Sequence, residues 1–156
     1  MNVSRLFLFW QFLSNKPLGR YLFNRLIRFI NPYTGALKAD ILKLEKGYAL
    51  IRLKDRRGIR NHLNSIHAIA LTNLGEFASG IALVTQFSDN MRGIPVEINI
   101  EFLKKARGTL LAESRGQLPR FNHELEHRVS ADIRDQENDI VARVQVKWKL
   151  GYKDEH

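Results

Sequence analysis

The chain has 156 residues, 44% of them apolar and 26% charged, which suits one ordinary globular domain with one core. It has no cysteine, which excludes a disulfide framework, a cysteine nucleophile and thiolate metal sites, and is compatible with a reducing cytoplasm. The formal charge of +9 is unevenly spread: residues 1–39 hold Arg5, Lys16, Arg20, Arg25, Arg28 and Lys38 and no acid, leaving 19 of the 25 basic residues and all 16 acids to residues 40–156.

The N-terminal run Leu6–Leu13 is far shorter than the roughly 20 apolar residues of a membrane span. It is followed by Ser14-Asn15-Lys16-Pro17, with no small-x-small cleavage site, so a signal peptide fits poorly. Residues 3–13 read as a short helix. Pro17 suits the first turn of a second helix to about Ile30, with Leu18, Tyr21, Leu22, Leu26, Phe29 and Ile30 at helical spacing. Asn31-Pro32 stops it. Residues 1–35 thus read as a basic helical extension, suited to an anionic membrane surface, nucleic acid or an anionic ligand such as coenzyme A. Its aromatic residues pack on the domain or a partner subunit, or else touch a membrane interface.

Residues 36–156 read as the main domain. Ile41, Leu44, Tyr48 and Leu50 suggest two strands, roughly 38–45 and 47–55, turning at Lys46-Gly47. A charged loop over Arg56–Leu63 leads into a long helix from about Ser65 to Val84, with Asn64 or Ser65 as N-cap. Val96, Ile98, Ile100 and Phe102 then alternate with more polar residues, the pattern of a half-buried antiparallel strand. Gly108 turns into a strand over about 109–117. Two further alternating runs, at Val129–Ile133 and Ile140–Leu150, flank the turn Gln136–Asp139. Strands segregated from helices give an α+β class with an antiparallel sheet.

The long helix is apolar nearly all round, and such a helix is buried on most faces. Between Ser65 and Thr85 its only ionisable residues are His67 and Glu76. Asn73, Glu76, Ser79 and Gly80 are three or four apart and form one small polar stripe. A carboxyl group buried there has its pKa raised and is a candidate base; the competing reading is that a neighbouring Arg or Thr holds Glu76 for structural reasons.

The segment Asn61–Gly80 (NHLNSIHAIALTNLGEFASG) resembles the core motif of hotdog-fold acyl-CoA thioesterases of the phenylacetate-pathway type. Asn61, His67 and Glu76 fall at the intervals of that family's loop Asn, helix-start His and central-helix acid. IEFLKKARGTLLAESRG and DIVARVQVKW resemble its later strands, so the likeness covers roughly residues 36–150. It is closest to an uncharacterised bacterial branch with a helical extension. The resemblance implies a hotdog fold, a long central helix wrapped by an antiparallel sheet, and a dimer or tetramer hydrolysing acyl thioesters. Glu76 would be base or nucleophile, Asn61 would orient water or the acyl group, and His67 with the amides near Ala68 and Ile69 would hold the carbonyl. Ala68 and Ile69 depart from the family's two glycines, which let a thioester approach the backbone. A non-catalytic module binding an acyl chain or lipid is the alternative. His67 and Glu76 are nine residues apart, about 180° around an ideal helix. They address one point only if His67 lies at a frayed start or the site spans two subunits.

Asn73, Ser79 and Gly80 are candidate substrate contacts. Lys104, Lys105 and Arg107 could hold coenzyme A phosphates, or are solvated turn residues like Arg56, Arg57 and Arg60. His123–His127 (HELEH) matches a zinc-protease string, but that motif needs a helix. Here Pro119 precedes it and strand alternation follows by Val129. Neither a metal nor a cofactor is expected. No nucleic-acid-binding string occurs. The expected location is cytoplasmic, with peripheral membrane contact through residues 1–30 left open.

Overall fold

The computed structural model describes residues 3–153. Two helices, α1 (Val3–Ser14) and α2 (Gly19–Ile30), and a single turn, α3 (Pro32–Gly35), precede the sheet. The hairpin β1 (Asp40–Glu45) and β2 (Tyr48–Leu53) turns at Gly47, whose φ of 73° suits glycine. The central helix α4 (Ala68–Val84) follows, then β3 (Met91–Phe102), β4 (Leu110–Arg115), β5 (Leu125–Arg134) and β6 (Ile140–Tyr152). The strands form one antiparallel sheet in the order β1-β2-β4-β5-β6-β3.

Helix α4 lies against β2, β4, β5 and β6, the four inner strands. Leu74, Ala78, Ala82 and Leu83 are fully buried against Ile51, Leu110, Ile133 and Val144. Gly75 is required by that closeness: a Cβ there would collide with the Val144 side chain. A sheet folded round one apolar helix is the hotdog arrangement, and the α+β class follows from it.

The extension is fastened to the sheet by buried polar contacts. The Ile41 amide donates to Asn24 Oδ1 (2.7 Å), and Asn24 Nδ2 donates to the Ile41 carbonyl (3.2 Å). Both polar ends of a buried amide are thus satisfied. Asp40 accepts from Arg28 (2.5 Å) and Arg52 (3.0 Å), joining α2 to β1 and β2. Phe23 is fully buried and meets Trp10 edge-on at 5.1 Å between centroids, which locks α1 to α2.

Three expectations are corrected. Helix α2 begins at Gly19, not at Pro17. Leu18 precedes it at φ 61°, and Gly19 packs on the Leu13 backbone, so residues 15–18 are spent on the turn. Helix α4 begins at Ala68, capped by His67 rather than by Asn64 or Ser65. The Ile66 amide donates to Ala106 and the His67 amide to Ile59, each at 2.8 Å, which holds that stretch extended. Strand β3 is not half-buried: Ile94, Val96, Ile98 and Phe102 are exposed. It is the outer strand beside β6, with a register shift at Val96.

Candidate functional site

The centre of α4 puts Glu76 into a cavity of about 440 Å³. Leu6 of α1 and Ile27 and Ile30 of α2 supply its apolar wall, Gly80 and Ile81 continue the helix side, and Trp148 of β6 adds the sheet side. Gly80 lets the indole lie against the helix, since a Cβ there would come within 2.8 Å of Trp148 Cη2. Burial alone pushes the Glu76 carboxyl above the usual carboxylate range; among the described residues no charged or hydrogen-bonding side chain opposes it. Trp148 Nε1 is also buried and without a hydrogen-bond partner. This cavity therefore combines apolar walls with a reluctant carboxylate, a pairing suited to a ligand with a long apolar part and a polar head.

The start of α4 is a separate place. His67 Nδ1 accepts from the Ile69 amide at 3.1 Å, so the histidine caps the helix and occupies one of its free donors. Asn61 Oδ1 accepts from the Leu63 amide (2.9 Å) and the Ser65 amide (3.1 Å), which makes Asn61 the organiser of the loop before the helix. Asn61, Ala68, Lys104 and Lys105 line a cavity of about 410 Å³. His67, Ile69 and Asn73 line another of about 240 Å³, and Asn73 Oδ1 is buried and lacks a partner.

The sequence candidates are thus divided. Glu76 and Gly80 share one cavity, and Asn61, Ala68, Lys104 and Lys105 share a second. His67, Ile69 and Asn73 share a third. From His67 to Glu76 the helix rises about 14 Å. Ser79 is fully buried and donates to the Glu76 backbone carbonyl at 2.9 Å, away from its carboxylate. Lys104 is held by Asp135 (2.7 Å) and Asp139 (2.8 Å), with Glu137 at 3.7 Å, and these hydrogen bonds push its pKa up. Arg107 donates to the Leu63 carbonyl at 3.3 Å. Lys105 is exposed at the rim of the second cavity. His123 precedes β5 and His127 lies within it, so HELEH forms no helix.

Leu6, Ile27 and Trp148 were not among the sequence candidates. Their spacing marks them only as apolar, and nothing local shows that α1, α2 and β6 converge on Glu76.

A central helix enclosed by an antiparallel sheet, with an acid in the helix's apolar middle, places the chain among hotdog proteins. It belongs to the family described as a domain of unknown function, DUF4442, whose sequence profile matches residues 19–150. No curated protein matches the sequence. Among solved structures, the structural-genomics protein APC5556 is similar at a TM-score of 0.79 and 24% identity, over 96% of this chain and 98% of that one. A Pseudomonas aeruginosa protein, PA5026, described as a probable thioesterase, is similar at 0.70 and 21%, over 83% and 93%. The Escherichia coli PaaI protein of the phenylacetic acid degradation operon is similar at 0.65 and 21%, over 83% and 97%. At these identities the likeness is one of fold, and at that level the resemblance read from Asn61–Gly80 holds.

Proposed function

We propose that this protein hydrolyses acyl thioesters, acyl-CoA among them, with Glu76 as the base. The observation that carries the reading is an unpaired carboxylate, made more basic by burial, in an apolar cavity large enough for an acyl chain. Glu76 takes a proton from water, the water oxygen attacks the thioester carbonyl carbon, and the carbon–sulfur bond breaks. The thiol leaves with the proton that Glu76 returns.

A homodimer belongs to the same proposal. Strand β3 exposes Ile94, Val96 and Ile98 along an unpaired edge, the kind of edge that a second copy covers. Asn61, His67, Ala68 and Lys105 then act on substrate only if pairing brings one copy's helix start to the other's Glu76 cavity.

Hydrolysis of an acyl-CoA panel by the wild type and by Glu76→Gln tests the reading. The expected result is turnover in the wild type and a loss of about a hundredfold or more in the variant. Equal rates in both remove Glu76 from the mechanism.

A second reading, acyl-chain or lipid binding without turnover, is favoured by one feature. The Ile69 amide, a donor that an oxyanion would use, is already taken by His67, and Ile69 carries a bulky side chain where the resembled enzymes have glycine. Native mass spectrometry separates the two, because retained lipid without hydrolysis supports binding alone.

A further inference from the structure

Helices α1 and α2 are apolar on their outward faces as well as their inward ones. On α2, Phe23, Asn24 and Ile27 are buried. On its other side Leu18, Tyr21, Leu22 and Phe29 are 76%, 56%, 54% and 84% exposed. At about 100° per residue Tyr21, Leu22 and Phe29 fall on one stripe of the helix, with Arg25 among them, and Leu18 is exposed in the turn just before it. Helix α1 repeats the arrangement: Leu6 and Trp10 are buried, whereas Leu8 and Phe12 are 64% and 61% exposed on the side that carries Arg5. Tyr33, just beyond α2, is exposed as well.

The cations of this surface lie along its rings. Lys16 Nζ is 3.5 Å from the Phe12 centroid. The Arg25 guanidinium is 5.9 Å from the Tyr21 ring and donates to its hydroxyl at 3.2 Å. Arg5, Arg20 and Lys38 are exposed too, and no acid occurs from residue 1 to residue 39. Solvated helix faces are normally polar, so large exposed rings beside unopposed cations mark a surface with a partner.

We propose that the outer face of α1 and α2 docks on an anionic lipid surface. Each helix has 12 residues, too short to span a bilayer but long enough to lie in its interface. The rings enter the boundary between headgroups and acyl chains, while Arg and Lys extend their stems and keep their charges at phosphate level. A second copy is the poorer occupant. Pairing this face with itself sets the same cations against each other, with no acid on the face to offset them. The same helices wall the Glu76 cavity through Leu6, Ile27 and Ile30, so docking holds that cavity beside a source of acyl chains. Docking itself does not rest on the hydrolytic reading.

Co-sedimentation of the full chain with vesicles tests it. The wild type should pellet with phosphatidylcholine vesicles containing phosphatidylglycerol, at least about tenfold more tightly than with phosphatidylcholine alone, and salt should release it. The exposed-site variants Phe12→Ser/Phe29→Ser and Lys16→Gln/Arg25→Gln should each weaken binding by about tenfold or more, with melting temperatures close to wild type. A wild type that stays in the supernatant with anionic vesicles overturns the proposal, as does equal pelleting of both variants. Sedimentation equilibrium covers the remaining occupant. If Phe12→Ser/Phe29→Ser splits an oligomer while the wild type ignores vesicles, the face belongs to a second copy and the proposal fails.

Discussion

The carboxyl of Glu76 is raised by burial alone, and that has a consequence for stability as well as for chemistry. Between the unfolded pKa and the higher folded one, the folded state holds more protons than the unfolded state. Stability therefore falls as pH rises through that window. Removing the charge should relieve this. Glu76→Gln is expected to raise the melting temperature at neutral pH, by about 2–4 °C for each kcal/mol regained, and the gain should vanish in acid. A melting temperature that drops at pH 7 would mean that the carboxylate has a structural partner. Asn61 presents the opposite case. Its side chain accepts two backbone N–H groups, so Asn61→Ala should cost about 1–2 kcal/mol in urea unfolding, whatever it does to turnover. Sequence alone singled out both residues, Glu76 because no other acid lies in the helix. It could not show that Asn61 spends its oxygen on its own loop, nor that Trp148, 72 positions beyond Glu76, faces the same cavity.

Among the elements, α4 was the most legible, because its apolar residues leave only one narrow polar stripe. Its start was misplaced by three residues, since Ile66 is held by Ala106, 40 positions later, and no local propensity records that bond. The alternation of β3 was legible too, but not its exposure. Which strand becomes the edge depends on strand order, and β3 crosses to the far side of β6. Packing around α4 gives a prediction at this scale. Leu74 is fully buried at the middle of the helix, so Leu74→Ala should destabilise the fold by about 2–5 kcal/mol, read from the urea midpoint. Gly75→Ala should also destabilise, because the added methyl would enter the space of Val144.

At the scale of the whole molecule, two exposed apolar surfaces carry the proposals about partners. One is the β3 edge, with Ile94, Val96 and Ile98. If a second copy pairs there, Ile98→Lys should shift the chain from dimer to monomer in size-exclusion chromatography while leaving its circular dichroism intact. An unchanged elution volume would place any dimer contact elsewhere. The other is the basic, apolar face of α1 and α2. The charge imbalance of residues 1–39 is plain in the sequence. The outward aromatic stripe is not, because it requires knowing which side of each helix faces the sheet. Among the described residues no helix is long and apolar enough to cross a membrane, and the lipid contact proposed for these helices is an interfacial one. The most direct test of the account is the pH dependence of kcat/KM for a hydrolysed acyl-CoA. The raised Glu76 pKa predicts a rate that climbs with pH through an inflection above the ordinary glutamate value, and Glu76→Gln should abolish that limb. A wild-type profile that Glu76→Gln leaves unchanged in height and shape would contradict the assignment of Glu76 as the base.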